Sequence, residues 1–201
     1  MKAEDIKKRY AKSAMNYDEM SMNDKYNAYK IMSLWALENI GEKKAKILDL
    51  GCGTGLSSIE FFKGGHRVIG VDISKEMLKK AEKYPFEKLI CQDIEDSLDF
   101  KDNTFDVVML IGVIEFIRSP LQLFKNIRKI LKDEGIFLIT VPRKLPDSTK
   151  LPFKSYTEDE INNIFLKAKF KIVESKSFLG YFKQTETEKE SVYYLAYLLR
   201  K

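Results

Sequence analysis

From Lys46 to Ser175 the chain alternates two periodicities, and no other feature limits its fold so tightly. Short β-branched runs recur: KILDL (Lys46 to Leu50), RVIGVD (Arg67 to Asp72), KLIC (Lys88 to Cys91), FDVVMLI (Phe105 to Ile111) and GIFLITV (Gly135 to Val141). Between them lie stretches whose apolar residues return every three or four positions. The first kind suits strands buried on both faces, the second amphipathic helices. Their alternation predicts an α/β chain with a mostly parallel sheet. Two further runs, FKIVES (Phe170 to Ser175) and VYYLAYLL (Val192 to Leu199), have only the loop-like KSFLGYFKQTETEKE between them. A parallel return needs a crossover, so these two pair antiparallel and the seven-stranded sheet ends in a reversed strand.

Helix boundaries carry chemical signals. Ser74 opens SKEMLKKAEK as an N-cap, Ser119 and Pro120 open SPLQLFKNIRKIL, and Thr157 with Glu160 forms a capping box ahead of INNIFLKAK. In the second of these, Leu121, Phe124, Ile127 and Leu131 form the expected buried stripe. Upstream, DKYNAYKIMSLWALENIG reads as a helix closed by Gly41. Its Tyr29, Met32, Trp35, Ala36 and Ile40 are expected to pack against the sheet. Without repeats or linkers, the chain reads as one domain over 1–201, with 1–41 a helical cap on a core of 42–201.

Composition excludes several classes. In 201 residues, 44% of them hydrophobic and 32% charged, no apolar run approaches the ~18 residues of a membrane span, and MKAEDIKKRYAKSAM lacks the apolar segment of a secretory signal. A cytoplasmic location is expected. Cys52 and Cys91 stand in no metal-type spacing and read as reduced thiols, so neither metal nor disulfide is expected. The net charge of +5 comes from 35 basic residues, of which only six are arginines. Scattered lysines mark a solvated surface better than a nucleic-acid footprint, so nucleic acid is an unlikely partner.

The turn after the first strand, ILDLGCGTGLS (Ile47 to Ser57), places glycines at 51, 53 and 55. It falls at the carboxyl edge of the sheet, where open α/β folds bind ligands. Asp72 ends the second strand 21 residues after Gly51, the placement for a carboxylate that holds ribose hydroxyls. Asp93, just past the third strand, could take an adenine amino group. Dinucleotide enzymes want a glycine at the sixth position of the fingerprint, which is Leu56 here, and the loop has no basic residue for a pyrophosphate.

With these residues in place, the chain resembles the class I S-adenosylmethionine-dependent methyltransferases, particularly the small-molecule branch that includes quinone methylases. The likeness runs through YAKSAMNYDEM, ILDLGCGTG, VIGVDIS, CQDIED, FDVVMLIGVIEFIRSP and IRKILKDEGIFLITVP, nearly the whole chain. It implies a Rossmann-like seven-stranded, mostly parallel sheet with an antiparallel last strand and helices on both faces. It implies S-adenosyl-L-methionine as the cofactor and a small-molecule methyl acceptor as the partner. By the same resemblance Gly51, Cys52 and Gly53 meet the methionine part, and Asp49 orients its ammonium. Asp72 holds the ribose, with Ile73 and Met77 on the adenine. Asp93 and Ile94 read the adenine edge, Leu110 and Ile111 offer main-chain carbonyls, and Tyr17 reaches over from the N-terminal segment.

Methyl transfer from a sulfonium needs positioning and desolvation more than a dedicated group, and a base only where the acceptor must lose a proton. His66, the sole histidine, precedes the second strand and falls at the opposite edge of the sheet. In related enzymes the position of Phe116 is often histidine, and this departure counts against a histidine-based mechanism. Glu115 either faces the site or caps its turn, and no catalytic residue is assigned. The absence of an Asn/Asp-Pro-Pro-aromatic motif and of a Pro-Cys nucleophile argues against methylation of nucleobases. Three variable segments can cover the carboxyl edge, and they carry Arg143, Lys144, Lys150, Phe153, Tyr156, Phe178, Tyr181 and Phe182. That mixture predicts a partly apolar acceptor carrying a carboxylate or phosphate. Two other readings stay open, an RNA or protein methyltransferase and a non-catalytic S-adenosylmethionine-binding protein. The sequence bears no mark of oligomeric state.

Overall fold

A computed structural model describes residues 2–23, 27–41, 43–144, 153–184 and 189–201, with side chains except at 22–23, 180–184 and 189–191. Three helices, α1 (Ala3–Ser13), α2 (Tyr17–Asn23) and α3 (Ala28–Ile40), precede β1 (Lys46–Leu50). A 3₁₀ turn at Leu56–Ser58 leads into α4 (Ile59–Lys63), then β2 (Arg67–Asp72), α5 (Lys75–Ala81), β3 (Lys88–Cys91) and β4 (Phe105–Leu110). A second 3₁₀ turn, Ile114–Phe116, precedes α6 (Pro120–Ile130), β5 (Leu131–Pro142), α7 (Glu158–Lys167), β6 (Lys171–Gln184) and β7 (Lys189–Arg200).

The strands form one sheet in the order β3-β2-β1-β4-β5-β7-β6. The first five pair in parallel, and β7 runs antiparallel to both β5 and β6. This is the Rossmann-like sheet with a reversed last strand expected from the connectivity. Chain order reverses between β1 and β4, so the crevice at their carboxyl ends is the natural place for a ligand.

Because side chains alternate along a strand, the sheet buries two separate apolar layers. On one face Leu48, Leu50, Val108, Leu110, Phe137 and Ile139 pack with Phe124, Ile127, Ile161 and Phe165 of α6 and α7. On the other, Ile47, Val68, Val107, Met109 and Leu138 pack with Met32, Trp35 and Ala36 of α3 and Phe61 of α4. Trp35 is thus core, as expected, and its indole N–H donates to Glu174 at 3.1 Å.

Three local expectations shift. In α6 the fully covered positions are Leu123, Phe124, Ile127 and Ile130, while Leu121 is only partly covered. The phase of the stripe is set by where α7 lies, which local pattern does not carry. Strand β5 begins at Leu131, before Gly135, because Leu131 bridges Phe105 ahead of an irregular turn through Glu134 at φ 61°. The segment after Ser175 is mostly strand. Pairing of β6 with β7 continues from Lys176↔Ala196 through a bulge between Leu179 and Tyr181 to Gln184↔Lys189, past the last β5 partner at Pro142↔Tyr194. A hairpin therefore projects beyond the carboxyl edge of the sheet.

Candidate functional site

The loop after β1 hangs from the neighbouring strand: the N–H groups of Gly51 and Cys52 both donate to the carbonyl of Val71, at 2.7 and 3.1 Å. That grip turns the chain sharply, with Gly51 at φ 74° and Gly53 at φ 53°, in the left-handed region that glycine enters without strain. A Cβ on Gly51 would collide with Val113, and one on Gly53 would press within 3.3 Å of Met77. Both glycines line a cavity of about 90 Å³ at the crevice between β1 and β4.

Asp72 stands at the base of that cavity, nearly buried. Its Oδ2 accepts from Gly53 N–H at 2.9 Å and its Oδ1 from Ser74 N–H at 2.8 Å. Burial raises its pKa above the usual carboxylate value, while the main-chain donors work to lower it. An ionised carboxylate has about four lone-pair sites, so each oxygen keeps capacity for a ligand hydroxyl. At the other end, Asp93 accepts from Glu95 N–H at 3.0 Å and meets the Arg118 guanidinium at 3.4 Å. Arg118 is held chiefly by Glu95, at 2.8 Å.

Of the residues singled out from sequence, Tyr17, Gly51, Gly53, Asp72, Ile73, Met77, Asp93, Ile94 and Ile111 come together on this cavity. Cys52 lines a smaller pocket that adjoins the first at Tyr17, Gly51, Gly53 and Ile111, and its thiol is pushed up by burial. Leu110 is fully buried in the core. Asp49 lies behind the loop, where its Oδ2 accepts from both Ser57 and Ser58 hydroxyls at 2.6 and 2.7 Å. Burial raises its carboxyl to about 6. Its side chain braces the loop from beneath and lines neither of these two pockets.

Sequence reasoning passed over the roof. Ala3, Ile6 and Tyr10 of α1 line the cavity, spaced three and four apart on one helix face, and Phe116 meets Tyr10 edge-on at 5.9 Å between centroids. That spacing was the available signal, but nothing local tells a helix what its face covers. Helix α2 is tied to the glycine loop through Asp18, which accepts from the Thr54 hydroxyl at 2.5 Å and pairs with Lys83 at 2.9 Å.

A second cavity of about 250 Å³ adjoins the first at Tyr10, Tyr17, Gly112 and Phe116. Glu115 faces it, which resolves the alternative the sequence left open. Of the eight segment residues expected near an acceptor, Phe153 lines this cavity. Arg143 and Lys144 turn instead to α7, pairing with Glu158 at 3.5 Å and Glu160 at 3.7 Å. Tyr156 is buried in the core, and Phe178 stacks on Tyr194 at 6.2 Å. Lys150 and the side chains of Tyr181 and Phe182 lie outside the described residues. His66 sits at the amino edge, accepting from Ala45 N–H at 3.0 Å, far from either cavity's lining.

Comparison with known proteins agrees with this geometry. Residues 48–139 match the family described as methyltransferase domain. The chain is 29% identical over 145 residues to malonyl-[acyl-carrier protein] O-methyltransferase of Halalkalibacterium halodurans, covering 67% of this chain and 54% of that protein. It is 32% identical over 110 residues to ubiquinone biosynthesis O-methyltransferase of Actinobacillus pleuropneumoniae, covering 50% and 47%. Among the first curated relatives the matched share of their own length runs from 45% to 62%. In fold it is similar to Burkholderia thailandensis 1,6-didemethyltoxoflavin-N1-methyltransferase, solved with 1,6-didemethyltoxoflavin and S-adenosylhomocysteine bound. The TM-score is 0.75 at 20% identity, over 98% of this chain and 87% of the other. Among the described residues no helix is long and apolar enough to cross a membrane.

Proposed function

Because the chain belongs to the class I S-adenosylmethionine-dependent methyltransferases, we propose that it moves a methyl group to a small-molecule acceptor held in the second cavity. When bound, the cofactor supplies a methyl group already activated on a positively charged sulfur.

The chain's residues fit that cofactor. The observation that carries the reading is the join between loop and acid: Gly53 N–H binds Asp72 Oδ2, so the glycine turn and the ribose-type carboxylate form one cradle. Asp72 would take the ribose hydroxyls, and Ile73, Met77 and Ile94 would enclose the adenine, with Asp93 at its edge. Gly51 and Gly53 leave room for the methionine part beside Ile111, under Tyr17. Asp49 would act through the loop it braces.

A small, flat acceptor is supported by the lining of the second cavity, where the aromatic rings of Tyr10, Tyr17, Phe116, Phe153 and Tyr194 gather. The ubiquinone biosynthesis O-methyltransferase relative points the same way. Positioning and exclusion of water then provide most of the acceleration.

The test is transfer of labelled methyl from S-adenosylmethionine in a total cell extract. Label in the solvent-extracted small-molecule fraction is expected. Label confined to RNA or protein, or bound cofactor without transfer, would overturn the acceptor reading.

A further inference from the structure

Glu115 is a carboxylate of the second cavity to which cofactor binding gives no role. A buried carboxylate needs hydrogen bonds to both oxygens, and each one missing is costly. Oε1 accepts from the Tyr194 hydroxyl at 3.1 Å. Oε2 is buried with no hydrogen-bond partner among the described residues. Glu115 is only 6% exposed, yet lines the cavity of about 250 Å³. An orphaned acceptor calls for a ligand donor, and walls of Tyr10, Tyr17, Phe116 and Phe153 call for a flat apolar body. Arg9 on the same wall disfavours a cationic ligand such as an ammonium.

Resting on the methyl-transfer reading, we infer that this cavity takes an uncharged aromatic acceptor with a phenolic hydroxyl, which donates to Glu115 Oε2 and gives up its proton there. As the hydroxyl oxygen bonds the donor's methyl carbon, the carbon–sulfur bond breaks and its electron pair goes to sulfur. The O–H bond breaks with its pair left on oxygen, and the proton passes to Oε2. The products are a neutral aryl methyl ether, S-adenosylhomocysteine and protonated Glu115, so charge and atoms balance.

The surrounding groups leave Glu115 as the proton acceptor. It faces Arg9 and Tyr10 from α1, Tyr17 from α2 and Tyr194 from β7. Tyr156 acts on it from further off. The ammonium of Lys154 is occupied by the carbonyl oxygens of Ile117 and Arg118. Burial pushes Tyr10 well up and takes Tyr17 and Tyr156 to about 12, so these phenols stay protonated. Burial also raises Glu115 to about 7, a value matched to accepting a proton near neutrality.

The whole protein, saturated with S-adenosylhomocysteine, is titrated calorimetrically with 2-naphthol and with its methyl ether, which has the same rings and no proton to give. The wild type is expected to prefer the phenol roughly ten- to hundredfold, the range for a hydrogen bond to a charged group. That preference should fall as the pH drops below the Glu115 midpoint. Glu115→Ala should abolish it, and Glu115→Gln should remove its pH dependence. Equal affinity for the two probes, or no binding of either by protein that holds S-adenosylhomocysteine, overturns the inference. So does preference surviving in Glu115→Ala, or pH dependence surviving in Glu115→Gln. Wild-type protein that fails to bind S-adenosylhomocysteine overturns the methyl-transfer reading instead. Should Glu115→Ala fail to fold, the Glu115→Gln pH profile decides.

Discussion

Replacing Asp49 with Asn should make the protein more stable at neutral pH than at acid pH, relative to wild type. Burial raises the Asp49 carboxyl from 3.8 to about 6, against the Ser57 and Ser58 hydroxyls that favour the ionised form. A folded-state pKa above the unfolded one means that the native state holds its proton longer. The associated stability is then present below about pH 4 and is lost as pH rises through about 6. Two units correspond to about 3 kcal/mol. Both serine hydroxyls donate to the same oxygen, Oδ2, so a single amide oxygen can replace it. Urea denaturation of both proteins across this range should show the stability difference, Asn variant minus wild type, rising by about 3 kcal/mol from about pH 4 to about pH 7. A difference that does not change with pH would refute the buried, reluctant carboxylate beneath the glycine loop.

Gly51→Ala should lose on the order of 1 to 3 kcal/mol of stability from the left-handed backbone alone. Its methyl group would also strike Val113, whose β-branched side chain has little freedom to turn aside, so cofactor affinity measured by calorimetry should fall too. Unchanged affinity would mean the loop does not need its close approach. Phe124→Ala removes a fully buried ring, stacked on Phe165 at 5.5 Å and edge-on to Phe137 at 5.3 Å, and should cost about 3 to 5 kcal/mol by thermal or urea unfolding. A loss below about 1 kcal/mol would show that this face of α6 is not packed into the core.

What could be read from the sequence was whatever local chemistry decides. Glycine spacing, the acid at the end of β2 and the capping box at Thr157, made by hydrogen bonds of 2.8 and 3.2 Å, depend on residues a few positions apart or on a strand end. The reversed β7 followed from connectivity, since no crossover separates it from β6. The remainder depended on distant partners. Lys176 to Gln184 read as loop because lysines, Gly180 and polar residues break the apolar pattern, but pairing with β7 supplies the hydrogen bonds that hold it extended. Arg143 and Lys144 looked like acceptor ligands until α7 brought its acidic first turn beside them. Tyr10 and Ile6 looked like an ordinary helix face, and only tertiary packing makes that face a roof. Glu115 was ambiguous for the same reason: its orientation is set by Tyr194, 79 residues away.

Calorimetric titration of wild type and Asp72→Asn tests most directly whether the cradle of Gly53 and Asp72 holds S-adenosylmethionine. Asn cannot accept hydrogen bonds on both sides as the carboxylate does, so affinity should fall by about 1.5 to 3 kcal/mol, roughly ten- to hundredfold. One-to-one binding to wild type with that loss in the variant is the predicted result. No binding to wild type, or equal affinity in both proteins, would contradict it.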